Sequence, residues 1–145
     1  MTNRPESLVS YLPSAATENG DWSEEGLLRE NGDPLEYDLE ERTARFGEAV
    51  IRFATKIPRG PDNDRLIGQL VGAATSVGAN YCEADDAVSK KDFRCKIGTC
   101  KKEARETKFF LRMVAAAEES LRPEARILWQ EAKELHLIFC AIWRK

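Results

Sequence analysis

Residues 90–112 carry nine basic side chains (Lys90, Lys91, Arg94, Lys96, Lys101, Lys102, Arg105, Lys108, Arg112) and three acidic ones (Asp92, Glu103, Glu106), a local charge of +6. Wound as a helix, this stretch separates its signs. Arg94, Gly98, Lys101, Arg105, Lys108 and Arg112 fall on one flank of the apolar seam, and Asp92, Lys96, Thr99, Glu103, Glu106 and Phe110 on the other. A merely solvated face tends to mix signs, because opposite charges at i,i+4 contribute about 0.2–0.5 kcal/mol per pair. The row from Arg94 to Arg112 spans about 27 Å at 1.5 Å per residue. That is long enough to follow several phosphates of a nucleic-acid backbone, by charge and without reading bases. Lys90 and Lys91 extend it. The alternative is that the row pairs with acids of a neighbouring helix or with the acidic N-terminal segment.

Catalytic chemistry is poorly served. A di-metal site in a helical bundle needs two Glu-x-x-His pairs on inward faces. Glu83, Glu103 and Glu106 are available, but His136 is the only histidine and has Lys133 three residues before it. Glu103 and Glu106 are expected to pair with Arg42 or Lys102, or to lie at a subunit contact. His136 and Cys140 at i,i+4 form at most half a zinc site, and a histidine packed at an interface is the simpler reading. Asn80 would cross-link helices if buried. No glycine-rich phosphate loop or nucleophile elbow is present. The expectation is a binding protein, not an enzyme, with no metal and no cofactor.

The elements that must position these residues are helical. Leu39, Thr43, Phe46, Val50, Phe53 and Ile57 alternate steps of four and three, after an Asp38/Glu41 capping box. Pro58 and Pro61 stop that helix, and Asp62 or Asn63 is expected to cap the next. Its seam runs Ile67, Leu70, Ala74, Val77, Tyr81, Ala84. Ser89, with Asp92, caps a third helix whose seam is Phe93, Ile97, Cys100, Ala104, Thr107, Leu111, Val114. Pro123 opens a fourth, with Leu121, Ala125, Leu128, Ala132, Leu135, Phe139 and Ile142 in line. Strand patterns are absent. The prediction is all-α: an antiparallel up-down-up-down four-helix bundle over residues 37–145.

Residues 1–36 read as a separate, mostly disordered acidic tail, with two basic groups against eight acidic ones, while residues 37–145 carry a net +3. Trp22, Leu27 and Leu28 offer one short docking element within it. The first twenty residues lack the apolar core and basic start of a secretory leader, and no apolar run is long enough for a bilayer, so neither is expected. Cys82, Cys95, Cys100 and Cys140 lack metal-ligand spacing and are expected to be buried free thiols, so the chain reads as cytoplasmic and without a membrane.

Two faces carry more than one seam requires. On the fourth helix Trp129, His136, Cys140 and Trp143 form a second stripe, widened by Leu137 and Ile138. An apolar surface this broad predicts an oligomer interface. On the second helix Gly68, Gly72, Ser76 and Asn80 recur every four residues, a small-residue face for close approach either of another chain or of a neighbour inside the protomer.

The stretches Ala74-Thr-Ser-Val-Gly-Ala-Asn-Tyr-Cys-Glu83, Ser89-Lys-Lys-Asp-Phe93 and Lys102-Glu-Ala-Arg-Glu-Thr107 resemble a bacterial four-helix-bundle family. It includes proteins encoded in intervening sequences of large-subunit ribosomal RNA genes and the accessory variability proteins of diversity-generating retroelements. The resemblance spans about residues 37–145. It implies a homopentamer, RNA or DNA contacts made by the lysines and arginines of the third helix, and a reverse transcriptase as partner. The acidic tail departs from that pattern, and is expected either to compete with phosphate for the basic row or to dock a protein. The rival function is a protein-interaction scaffold whose basic face binds acidic segments.

Overall fold

The computed structural model describes residues 39–145, so the acidic tail and the expected Asp38 cap lie outside the described residues. Four helices follow: α1 (Leu39–Ala54), α2 (Pro61–Asp85), α3 (Lys90–Ala117) and α4 (Arg122–Arg144), with a 3-10 turn at Glu119–Leu121 leading into the last. Each helix packs antiparallel on the next, and α1 lies against α4, giving the expected four-helix bundle. The register is fixed by specific neighbours. Gly78 of α2 faces Thr43 of α1, and Gly98 of α3 faces Trp143 of α4. The Cys100 thiol reaches the Val77 carbonyl at 3.5 Å.

The seams read from the sequence form the core. Phe46, Val50, Phe53, Leu70, Val77, Ile97, Leu111, Leu128, Leu135 and Phe139 are all buried. Leu39, Ile67, Tyr81, Leu121 and Ile142 are partly buried against it, and Phe93 stays exposed. Lys96 of α3 pairs with Glu83 of α2 at 2.6 Å, so Phe93 stands about level with the point where α2 has ended.

The helix ends follow local chemistry, with one correction. Ser89 caps α3 as expected, its hydroxyl accepting the Asp92 N–H at 3.0 Å. Neither Asp62 nor Asn63 caps α2. Pro61 takes the first helical position, where its missing N–H costs nothing, and Gly60 precedes it. Asp64 reaches back to accept from the Gly60 N–H at 3.2 Å and from Arg59 Nε. These bonds hold the Asp64 carboxyl below its ordinary range, Arg59 contributing most.

The close crossing of α1 and α2 is at Gly78, not at Gly68 or Gly72. A methyl group at Gly78 would sit 3.1 Å from Thr43 Oγ1, whereas nothing lies within 4 Å of one at Gly68 or Gly72. The face of Gly68 and Gly72 is therefore open in the single chain, and close approach inside the protomer does not explain it. Asn80 does not cross-link helices either. Its amide donates to the Ser76 carbonyl of its own helix at 2.8 Å.

A charged contact ties α1 to α4. Arg42 donates to Glu131 from Nε at 3.0 Å and from its terminal nitrogen, and to Glu134 at 2.8 Å. Both carboxylates are buried. The expected pairing of Arg42 with Glu103 or Glu106 is thereby corrected: α1 packs on α2 and α4, and those two acids sit on the far flank of α3. Removing one member of a buried ion pair leaves an uncompensated charge, at a cost of about 3–5 kcal/mol. Arg42→Met is expected to lower stability by about that amount, read as a fall in the urea midpoint with an unchanged slope.

Candidate nucleic-acid interface

The row on α3 begins at Lys90, immediately after the Ser89 cap, and its members keep to one side because they recur at steps of three, four and seven. Lys90, Arg94, Lys101, Arg105 and Arg112 fall within about 60° of one another around the helix axis. Lys90, Lys91, Arg94, Lys102, Arg105 and Arg112 are exposed and Lys101 is half-buried. Among the described residues, none of these seven forms an ion pair with an acid. The basic row is thus present as a surface, with one correction. Lys108 is only 6% exposed and leaves the row, its ammonium 5.3 Å from the centre of the Trp129 ring. Its stem lies towards α4, where the aliphatic carbons can cover apolar surface.

The gap at Gly98 has a structural reason that one-dimensional periodicity did not reveal. The Trp143 indole lies over it, its Nε1 3.3 Å from where a Cβ would be. Arg94 and Lys101, one turn to either side, each stand 4.4 Å from the centre of that ring. Two cations on one indole attract it through the ring quadrupole, at about 0.5–1 kcal/mol each on an exposed surface. Their charged ends are held in place before any ligand arrives.

The residues expected at an oligomer interface divide. Trp129 is 5% exposed in the single chain, bracketed by Lys108 and by Lys133, whose ammonium is 5.8 Å from the ring. Trp143 is half-buried on α3, and His136 and Cys140 are half-buried with Nε2 and Sγ 3.5 Å apart. Leu137 remains exposed beside them. No group of three His, Cys, Asp or Glu side chains converges among the described residues. No helix of the described residues is long and apolar enough to cross a membrane.

All four cysteines are free, but only Cys100 is buried and Cys140 half-buried. Burial pushes the Cys100 thiol up to about 12. Cys82 and Cys95 are exposed, contrary to expectation, because both fall outside the seams of their helices. On the acidic flank of α3 the Glu103 carboxyl is raised from its ordinary 4.5, first by partial burial and then by the neighbouring Glu106. Those two acids therefore lie together and not against Lys102. Sequence spacing had put them on one flank without revealing that contact.

No family model and no curated protein matches the chain. A solved structure from Bacteroides thetaiotaomicron, of a protein with unknown function from the S23 ribosomal protein family, shares the fold. It superposes with a TM-score of 0.65 at 22% identity, over 74% of this chain and 96% of that one.

The Glu103 shift gives a signed pH dependence. A carboxyl whose value rises on folding costs stability when ionised. The cost is absent below the unfolded value and grows as pH rises through the folded one. Glu103→Gln is expected to raise the melting temperature at neutral pH, with the gain disappearing below the ordinary value of 4.5. Melts of both proteins across that range check it.

Proposed function

We propose that this protein is a non-catalytic, homo-oligomeric accessory protein that binds the backbone of structured RNA along the outer face of α3. One observation carries this reading: a row of solvent-facing cations, free of acidic partners among the described residues, on the helix that also holds the bundle's most regular seam. Fixing cations in place before binding reduces the ordering cost of association, and the Trp143 contacts do this for Arg94 and Lys101. The fold shared with a protein of the S23 ribosomal protein family accords with the finer reading. In that reading the chain belongs with intervening-sequence proteins or retroelement accessory proteins, assembles as a pentamer, and serves RNA or DNA handled by a reverse transcriptase. The open face of Gly68 and Gly72, with half-buried His136 and Cys140 and exposed Leu137, supplies surface for such assembly.

Backbone binding has a distinctive salt response, because each neutralised phosphate releases counterions. Fluorescence anisotropy of a labelled structured RNA, titrated from low to near-physiological salt, is expected to show steep weakening. Replacing Arg94, Arg105 and Arg112 together by Gln should flatten the log–log slope by about 2–3, since each neutralised phosphate accounts for about 0.7–0.9 of it. An unchanged slope would place binding elsewhere, and no binding at low salt by any form would favour a protein scaffold. For assembly, Gly72→Ala has free space in the single chain and should stabilise it by up to about 1 kcal/mol. A drop in mass by light scattering would therefore report a contact between chains at that face.

A further inference from the structure

The border of α3 with α4 offers more than charge. On its α3 side stand Arg94, Lys101, Arg105 and Arg112, and on its α4 side the half-buried Trp143 ring, with Arg94 and Lys101 against it. Cations set against an indole suit an anionic strand that also carries aromatic groups. The chain contains one of its own. Residues 21–25 read Asp-Trp-Ser-Glu-Glu, followed by Gly26, Leu27 and Leu28, within a 36-residue segment that holds eight acidic groups and two basic ones.

The covalent geometry favours the encounter. That segment leads into α1 at Leu39, and α1 is fixed beside α4 by the bonds from Arg42 to Glu131 and Glu134. The attachment point is therefore beside the helix that supplies Trp143. α3 has 28 residues, a length of about 42 Å, whereas 36 residues of extended chain reach well over about 100 Å. Covalent attachment over such a length holds the segment at an effective concentration of about millimolar.

We propose that residues 1–36 bind along the α3–α4 border as an intramolecular competitor, with the acidic-aromatic stretch 21–25 against the cation row and Trp143. The competitive half of this proposal rests on the nucleic-acid reading above; the docking half does not. A polyanion that spans the whole row displaces the segment, because it brings more phosphates to the row than the three carboxylates of residues 21–25 can oppose. A short anion does not. The segment thus acts as a length filter, and it reconciles a strongly basic helix with a chain of net charge −3.

The test uses the full chain labelled with 5-fluorotryptophan, whose three resonances (Trp22, Trp129, Trp143) are assigned by single Trp→Phe changes. The variant carries Asp21→Asn, Glu24→Gln and Glu25→Gln together. At low salt the Trp143 resonance is expected to move between parent and variant, and the difference to vanish near 1 M salt, where charges are screened beyond about 3 Å. Anisotropy on the same two proteins should show the variant binding a long structured RNA several-fold tighter. Coincident Trp143 resonances in the two proteins would overturn the docking, whatever RNA does. A moved resonance with equal RNA affinity would overturn the competition alone. A moved resonance with no RNA binding by either protein would support the docking and overturn the nucleic-acid reading.

Discussion

Arg42 holds α1 against α4 by donating to two buried carboxylates at once, and the closure of the bundle between its first and last helices rests on that contact. Residues 131–135 of α4 are buried in succession, including Glu131, Lys133 and Glu134. Burying a charge is expensive unless it is paired and hydrogen-bonded. A planar guanidinium can serve Glu131 and Glu134 together because its donors are fixed in a fork, which a lysine could not reproduce. With α1 set in register on α4, Lys56 at its far end meets Glu124 at 2.8 Å. Gly78 lets α2 close onto Thr43. α3 then completes the ring with Ile97, Cys100, Ala104 and Leu111 turned inward.

That inward commitment decides what α3 presents outside. Its cations lie at the border with α4, where two environments compete for them. Lys108 is drawn in beside Trp129, while Arg105 and Arg112 remain in water. Arg94 and Lys101 take an intermediate course, resting on the Trp143 indole. The same tryptophans that read as surplus apolar surface therefore also organise the charges. On the opposite flank Lys96 is satisfied by Glu83, and Glu103 and Glu106 face one another. The helix is electrostatically two-sided.

Much of this was legible in the sequence. Steps of three and four located the four helices, and Ser89 with Asp92 placed the start of α3, because these signals depend on residues close in the chain. The misreadings share a cause. Periodicity tells which side of a helix faces the core, but not which residue of a neighbour lies beside its flank. So the withdrawal of Lys108, the role of Gly98 beneath Trp143, and the Arg42 partners on α4 all depended on the register between helices. Asn80, expected to cross-link helices only if buried, is half-buried, and a bond to its own helix at Ser76 takes the place of one across helices. Asp62 and Asn63 were passed over as caps because Pro61 is itself well suited to the first helical position.

The claim that most needs a direct trial is that the outer face of α3 is the polyanion surface. Ultraviolet cross-linking of a structured RNA to the full chain, with adducts mapped by peptide mass spectrometry, tests it residue by residue. Adducts are expected to concentrate in residues 90–112 and at Trp143, and to be suppressed when a long competing polyanion is added. Adducts confined to α1 or α2, with α3 unmodified, would contradict it.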